Sequence, residues 1–148
     1  MLSKTSEYAI KSLIYLESKP GRKGKVGVEE IATAIRSPKS FTAKVLQRLA
    51  KAGLISSLKG PAGGFSIARD RDAISLMEVI LAMEGETVFQ KCGLGLDRCS
   101  AAQPCPLHHE YEKIRNDFRD LMARQTIQML AAKLTDGTAQ LRFTEIDI

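Results

Sequence analysis

The chain has 148 residues, of which 44% are hydrophobic and 26% are charged, as in an ordinary folded protein. It has neither an apolar run of 18 residues nor a signal-peptide pattern, so we expect no membrane span and a cytoplasmic location. The net charge of +5 is unevenly placed: residues 1–65 carry twelve basic and four acidic side chains, net +8, and residues 66–148 carry ten and thirteen, net −3. This asymmetry suggests a polyanionic partner, with nucleic acid ahead of an anionic membrane surface.

The first half of the chain predicts three helices. Apolar residues follow a helical period over residues 3–18 and 28–35, and the Gly-, Lys- and Pro-rich segment 19–27 between them predicts a loop. A third helix is predicted to start with Ser37 as its N-cap and Pro38 as its first residue. Gly53 is a suitable residue to end it.

A β-hairpin follows these helices. Strands are predicted at residues 54–58 and 65–68, joined by the Gly-rich turn 59–64, which lacks the Gly-Lys-Ser/Thr of a phosphate-binding loop. This order of elements is typical of a winged helix-turn-helix, whose second helix enters the major groove of DNA and whose wing reaches the adjacent backbone or minor groove. A helical domain with a surface hairpin is the alternative. The predicted contacts to double-stranded DNA are Lys39, Ser40, Lys44, Gln47, Arg48, Lys59, Gly60, Pro61, Gly63 and Gly64.

The second half predicts a helix, a loop and a long helix. A capping-box pattern at Ser75 starts a helix that Gly85 ends. From Pro106 onward, apolar residues alternate steps of four and three, as in a coiled-coil seam, and predict a helix that packs on a second copy of the chain. Gln125 and Gln128 interrupt the seam, and the apolar residues Ile127, Leu130 and Leu134 continue it on a shifted stripe. A homodimer also matches a near-palindromic operator, because its two DNA-recognition helices are related by a two-fold axis. A helix folded back on its own domain is the alternative.

Together these elements predict a mainly α fold with a small β-hairpin wing. A winged helix-turn-helix DNA-binding domain spans residues 1–85, a cysteine-containing loop 86–106, a dimerisation helix 107–134 and a C-terminal tail 135–148. We expect no enzyme activity, because the sequence has no nucleophile–base constellation, phosphate-binding motif or dinucleotide fingerprint.

Three cysteines and two histidines cluster in the chain. Cys92, Cys99, Cys105, His108 and His109 fall within eighteen residues, and the chain has no other cysteine or histidine. A disulfide with a spare thiol does not suit a reducing cytoplasm, and the close Cys-x₂₋₄-Cys pair typical of zinc is absent. Three thiolates from a wide loop favour an iron–sulfur cluster. A zinc-stabilised DNA-binding regulator and a cluster-free thiol redox sensor stay open as alternatives.

Almost the whole chain resembles the winged-helix iron–sulfur regulators of bacteria, the IscR/NsrR-type family. The resemblance lies in residues 3–9, 49–54 and 59–65 and in the cysteine trio. It implies a homodimeric DNA-binding transcriptional repressor with one iron–sulfur cluster per subunit, [2Fe–2S] in preference to [4Fe–4S]. It also implies that the state of the cluster, set by cluster supply, redox state or nitric oxide, controls affinity for the operator.

The resemblance leaves two candidates for the fourth cluster ligand. In the IscR-like branch a histidine three residues after the last cysteine completes the site, and His108 occupies that place. In the NsrR-like branch an acidic residue near the N-terminus of the partner subunit does so, and Glu7 matches it. The six residues between Cys92 and Cys99 are one more than the commonest pattern of the family, so the branch stays open.

Overall fold

The computed structural model describes residues 1–19, 25–68 and 72–141, and these hold six α-helices and one β-hairpin. Helix α1 (Lys4–Ser18) starts after Ser3, whose side chain accepts a hydrogen bond from the Ser6 backbone N–H. Helices α2 (Val28–Ile35) and α3 (Lys39–Lys51) follow. The three predicted helices are therefore confirmed. The loop predicted at 19–27 lies partly outside the described residues.

The start of α3 differs from the prediction by one residue. Its N-cap is Pro38, which makes no side-chain cap hydrogen bond, and the helix begins at Lys39. The predicted N-cap, Ser37, uses its hydroxyl in a hydrogen bond with the Thr42 hydroxyl, which also donates to the Pro38 carbonyl oxygen at 2.8 Å. The Ser37 side chain is thus committed to the buried Thr42 rather than to a backbone N–H group of the helix.

The hairpin matches the prediction closely. Strand β1 (Ile55–Leu58) pairs antiparallel with β2 (Gly64–Ile67). Val26 extends the sheet by one bridge, because its N–H and C=O bond the Phe65 C=O and N–H at 2.9 and 2.8 Å. The wing is therefore anchored to the segment that precedes α2.

Helix α4 (Leu76–Glu84) begins with the predicted capping box. The Glu78 N–H donates to the Ser75 hydroxyl at 3.1 Å, and the Glu78 carboxylate accepts from the Ser75 N–H at 2.9 Å. Gly85 ends the helix, and one 3₁₀ turn follows at Glu86–Phe89. Residues 90–107, which include the three cysteines, then run without regular secondary structure.

The predicted helix 107–134 is two helices, α5 (His108–Arg124) and α6 (Ile127–Thr135). The break is held by pairing with the start of α4: the Leu76 N–H donates to the Gln125 carbonyl at 3.0 Å, and the Ile127 N–H donates to the Ile74 carbonyl at 2.8 Å. Helix α6 turns back and packs on α1. The expectation of one long helix is thus corrected, and the alternative of a helix folded on its own domain holds for α6.

A single core surrounds α1, which packs against α2, α3, α4 and α6. Apolar residues from these helices are fully buried, among them Leu13, Ile31, Leu46, Ile80 and Ile127. Leu49 of α3 belongs to the same core, so the opposite face of α3 is left for solvent.

No helix of the described residues is long and apolar enough to cross a membrane. Of the predicted tail 135–148, residues 142–148 lie outside the described residues.

Candidate functional site

The outer face of α3 is exposed and carries no acidic residue. It includes all the side chains of this helix that are predicted to contact DNA: Lys39, Ser40, Lys44, Gln47 and Arg48. Lys39 forms an ion pair with Glu29 of α2 at 2.6 Å, and both side chains are exposed. Because water and salt screen an exposed ion pair, breaking the pair between Lys39 and Glu29 costs little free energy. Lys39 can therefore leave Glu29 to bind a DNA phosphate.

Arg48 has an additional role within the chain. Its Nη2 donates to the Met83 carbonyl oxygen at 2.6 Å, close to the Ala82 carbonyl oxygen at 3.5 Å. These carbonyls belong to the last turn of α4, where a positive charge is favourable. Arg48 therefore connects α3 to α4, the helix that leads into the cysteine loop, and this contact within the chain was not predicted from the sequence.

The wing presents Lys59, Gly60 and Pro61 at an exposed tip. The next two glycines are required by the packing of the chain itself. A Cβ on Gly63 would lie 2.0 Å from the Leu58 carbonyl oxygen, and one on Gly64, whose φ is +144°, would lie 2.7 Å from the Val26 carbonyl oxygen. The close approach of two backbone segments within the chain therefore accounts for glycine at both positions, and neither glycine needs a contact with DNA to explain it.

The structure brings the three cysteines and His108 together in two pairs. The Cys92 Sγ donates to the Cys105 Sγ at 3.7 Å, and the Cys99 Sγ lies 3.3 Å from the His108 Nδ1. All three thiols are free of disulfide bonds. Cys92 is buried, and Cys99 and Cys105 are half-buried.

The chain folds tightly around Cys92. Hydrogen bonds from the backbone N–H groups of Leu96 and Leu94 lower the pKa of the Cys92 thiol, and the Leu94 N–H lies 3.4 Å from its sulfur. Gly93 is pressed against the Tyr111 ring, since a Cβ there would lie 2.6 Å from the ring's Cγ. The glycine between Cys92 and Leu94 is therefore needed for the loop to reach α5.

His108 is the first residue of α5 and is only 4% exposed. Its Nε2 is 3.6 Å from a carboxylate oxygen of Glu112, one turn along the helix, and no hydrogen-bond partner of this buried atom is found in the described part of the chain. His109 is exposed. Among the described residues, His108, His109 and Glu112 form the group of three candidate metal ligands whose donor atoms all lie within 4.8 Å of one another.

Arg115 is a site residue that the sequence interpretation missed. It is 8% exposed, and its Nη1 donates to the Cys99 Sγ at 3.1 Å and to the Lys91 carbonyl oxygen at 2.9 Å. The seven residues between His108 and Arg115 place both on one face of α5, but this spacing does not indicate that the face is buried.

Glu7, the other candidate for a fourth ligand, lies in the first turn of α1. Its carboxylate pairs with Lys4 at 3.0 Å. In residues 1–19, 25–68 and 72–141 of this one chain, no hydrogen bond or ion pair joins it to a cysteine.

Helix α5 leaves an apolar stripe uncovered. Leu107, which precedes the helix, and Ile114 and Leu121 within it are 40%, 57% and 38% exposed, and they recur every seven residues. The neighbouring face, about 100° around the helix, carries His108, Arg115 and Met122 and is buried on the chain's own fold.

Comparison with known proteins identifies the family. The family model for Rrf2, described as iron-dependent transcriptional regulator, matches residues 2–133. A putative HTH-type transcriptional regulator of Aquifex aeolicus is 36% identical over 132 residues, which cover 88% of this chain and 90% of that protein. The chain belongs to the Rrf2 family. Its members are named as transcriptional regulators, so this Rrf2 protein is a DNA-binding regulator of transcription and not an enzyme.

Other relatives of this Rrf2 chain agree with that assignment. The HTH-type transcriptional regulator NsrR of Bacillus licheniformis is 26% identical over 86% of this chain and 89% of its own. Two solved structures share the fold with a TM-score of 0.71: CymR, the global cysteine regulator of B. subtilis, at 21% identity over 89% of this chain and 96% of that one, and T. potens IscR, at 19% over 95% and 92%. The winged-helix fold and the resemblance to IscR- and NsrR-type regulators are thus confirmed.

Proposed function

We propose that this protein is a homodimeric repressor that acts in the cytoplasm on a near-palindromic operator. Each chain would hold one [2Fe–2S] cluster through Cys92, Cys99, Cys105 and His108, and cluster supply, redox state or nitric oxide would set its affinity for DNA. The observation that carries the proposal is the pairing of these four donor atoms, Cys92 with Cys105 at 3.7 Å and Cys99 with His108 at 3.3 Å.

This pairing favours a cluster in which each iron has two protein ligands. Two sulfur ligands of one tetrahedral metal, each at about 2.3 Å, are about 3.7 Å apart. Cys92 and Cys105 have this separation. A [4Fe–4S] cluster takes one protein ligand per iron and would hold the donor atoms of one chain further apart.

A single zinc ion fits the cysteines less well than a cluster with two irons. Zinc would draw its four donor atoms into one tetrahedral group. The described cysteines do not form such a group, since no three candidate ligands that include a thiol have all their donor atoms within 4.8 Å of one another. Two separate pairs of donor atoms instead match the two irons of a [2Fe–2S] cluster, each of which takes two protein ligands.

The surroundings of His108 favour it over Glu7 as the fourth ligand. Its Nδ1 faces Cys99, and its Nε2 faces Glu112. A carboxylate that accepts from the second ring nitrogen fixes the tautomer and the orientation of a ligating histidine, and Glu112, 3.6 Å from the Nε2, would need only a small shift to do so. Glu7 is paired with Lys4 in its own chain, so it would have to give up that pair to reach a partner's cysteines.

The residues of the chain then divide the work around the site. A bound [2Fe–2S] cluster supplies a group that changes with electron transfer, oxygen or nitric oxide. The backbone N–H groups of Leu94 and Leu96 favour the thiolate of Cys92, and the Tyr111 ring covers Gly93 behind it. On the other side, α5 begins at His108 in the site, and the same helix bears the exposed apolar stripe.

The homodimer is supported by this stripe. Leu107, Ile114 and Leu121 leave a seven-residue apolar repeat in solvent, which is the spacing of a coiled-coil seam. Packing two copies of α5 against each other along this stripe would bury these side chains and relate the two α3 helices by a two-fold axis.

Anaerobic purification with visible absorption and iron, sulfide and zinc analysis tests the cluster. We expect two irons and two sulfides per chain, lost in Cys99→Ser and His108→Ala and kept in the matched variant His109→Ala. Zinc without iron would contradict the proposal. A cluster that survives His108→Ala and is lost in Glu7→Ala would instead support the acidic ligand.

A cluster-free thiol redox sensor is the second candidate, and the 3.7 Å between Cys92 and Cys105 favours it in the metal-free protein. Peroxide would oxidise the two thiols to one disulfide and be reduced to two waters. Mass spectrometry after peroxide treatment of the apoprotein should find Cys92 joined to Cys105 and Cys99 left free. Random pairing of the three cysteines, with no effect on operator binding, would exclude this function.

A further inference from the structure

The strongest unexplained feature of the site is a buried positive charge. Arg115 is 8% exposed, and its Nη1 bonds three acceptors: the carbonyl oxygens of Gln90 at 3.2 Å and Lys91 at 2.9 Å, and the Cys99 Sγ at 3.1 Å. Its Nε is buried, and no hydrogen-bond partner for it is found in the described ranges. A buried guanidinium is costly unless an anion compensates it.

Among the described residues, no carboxylate compensates the charge of Arg115. In the part of the chain that the structure describes, the groups that accept from Arg115 are two neutral carbonyls and one thiol, and no ion pair with an acidic side chain is found. The charge is therefore aimed at the sulfur of Cys99. That sulfur is an anion once it is bound to a metal.

The position of Arg115 links three parts of the site. His108 and Arg115 lie on one face of α5 and approach the same sulfur, at 3.3 and 3.1 Å. The bonds to Gln90 and Lys91 fix the backbone immediately before Cys92, where the 3₁₀ turn ends. One side chain thus sets the position of both cysteine pairs relative to α5.

We infer that Arg115 is a positioning residue that holds the cysteine loop against α5 and offsets the negative charge of the bound cluster. The inference rests on the proposed function. A [2Fe–2S] core with three thiolates and a neutral histidine has one net negative charge when both irons are ferric, and two after one electron is added. A fixed positive charge at Cys99 stabilises the reduced form more, so it raises the reduction potential.

Three variants separate the charge of Arg115 from its hydrogen bonds. Arg115→Gln removes the charge, Arg115→Lys keeps the charge and loses the forked geometry, and Lys113→Gln removes an exposed charge two residues away on α5. Each protein is purified anaerobically, and its reduction potential is measured in a dithionite titration. The rate of cluster loss to a chelator and the melting of the apoprotein by circular dichroism are measured alongside.

We expect Arg115→Gln to lose its cluster about 10–100-fold faster than the wild type, as for other groups that orient metal ligands, and to have a lower reduction potential. Arg115→Lys should keep the wild-type potential and lose the cluster at an intermediate rate. Lys113→Gln should match the wild type. If Arg115→Gln does not fold, faster cluster loss from Arg115→Lys than from both the wild type and Lys113→Gln supports the inference, and cluster loss from Arg115→Lys at the wild-type rate overturns it.

The outcomes also separate this inference from the proposed function. A wild-type protein that binds the cluster, with Arg115→Gln unchanged in potential and in rate of loss, overturns the role of Arg115 alone. A wild-type protein that holds no iron overturns the proposed function and this inference with it.

Discussion

The dimer seam can be tested at its most exposed apolar residue, Ile114. Burying a whole isoleucine side chain stabilises by roughly 1.5–3 kcal/mol. The 57% of Ile114 that is exposed in one chain therefore corresponds to about 1–2 kcal/mol if a second copy covers it. Both copies contribute in a two-fold dimer, which gives about 2–4 kcal/mol, or a dimer dissociation constant raised between about 30-fold and several hundred-fold.

The substitution Ile114→Ser isolates this effect, because serine and isoleucine have similar helix propensities. Sedimentation equilibrium over a range of protein concentrations gives the dissociation constant, and circular dichroism confirms that α5 stays helical. Asn116→Ser is the matched control, since Asn116 is exposed on α5 away from the stripe. A dissociation constant unchanged in Ile114→Ser, or raised as much in the control, would refute the seam.

Three further predictions address the wing, the cysteine loop and the packing of α4 on α1. Lys59→Ala should weaken operator binding and reduce the slope of log affinity against log salt by about one phosphate contact, measured by fluorescence anisotropy. Gly93→Ala should lower the iron content per chain, because the added Cβ would lie 2.6 Å from the Tyr111 ring. Despite partial burial, a hydrogen bond from the Ser6 hydroxyl holds the pKa of Glu84 below its usual value. This carboxylate therefore stabilises the fold above its unfolded-state pKa, and urea titrations of Glu84→Gln and wild type should differ at neutral pH and converge as the pH falls through the folded-state pKa.

Local patterns were sufficient to predict most of the winged-helix domain. Apolar spacing placed α1, α2 and α3, and the Ser75 capping box and Gly85 bounded α4. The division of α5 from α6 was only partly predictable in this way, because the interrupted seam indicates a shift of the apolar stripe and not the end of a helix. Gln125 and Thr126 are tolerated in helices, and the break depends on pairing with residues 74–76, some 50 positions earlier in the chain.

The candidate site was predictable in its members and not in its contacts. Sequence clustering singled out the three cysteines and His108, but the pairing of Cys92 with Cys105 follows from how residues 90–107 fold over α5. Arg115 was missed because a basic residue on a helix is ordinarily solvated, and its burial depends on the loop that covers it. Long-range packing supplies what spacing alone cannot.

Two arginines mark the ends of the segment that connects α4 to the cysteines. Arg48 bonds the Met83 carbonyl at one end, and Arg115 bonds the Lys91 carbonyl at the other, eight residues later. If a change at Cys99 alters the position of α3 in the same chain, the segment between Met83 and Lys91 is the shortest connection that can transmit it. A hydrogen bond to a charged group is worth about 1.5–3 kcal/mol. The proposed dimer would contain two such bonds, so making or breaking one in each chain would suffice for a change in DNA affinity of about a hundredfold. The affinity for DNA changes only to the extent that the two states of the protein differ in their contacts to DNA. The rigidity of the segment between Met83 and Lys91 is therefore as important as the chemistry at Cys99.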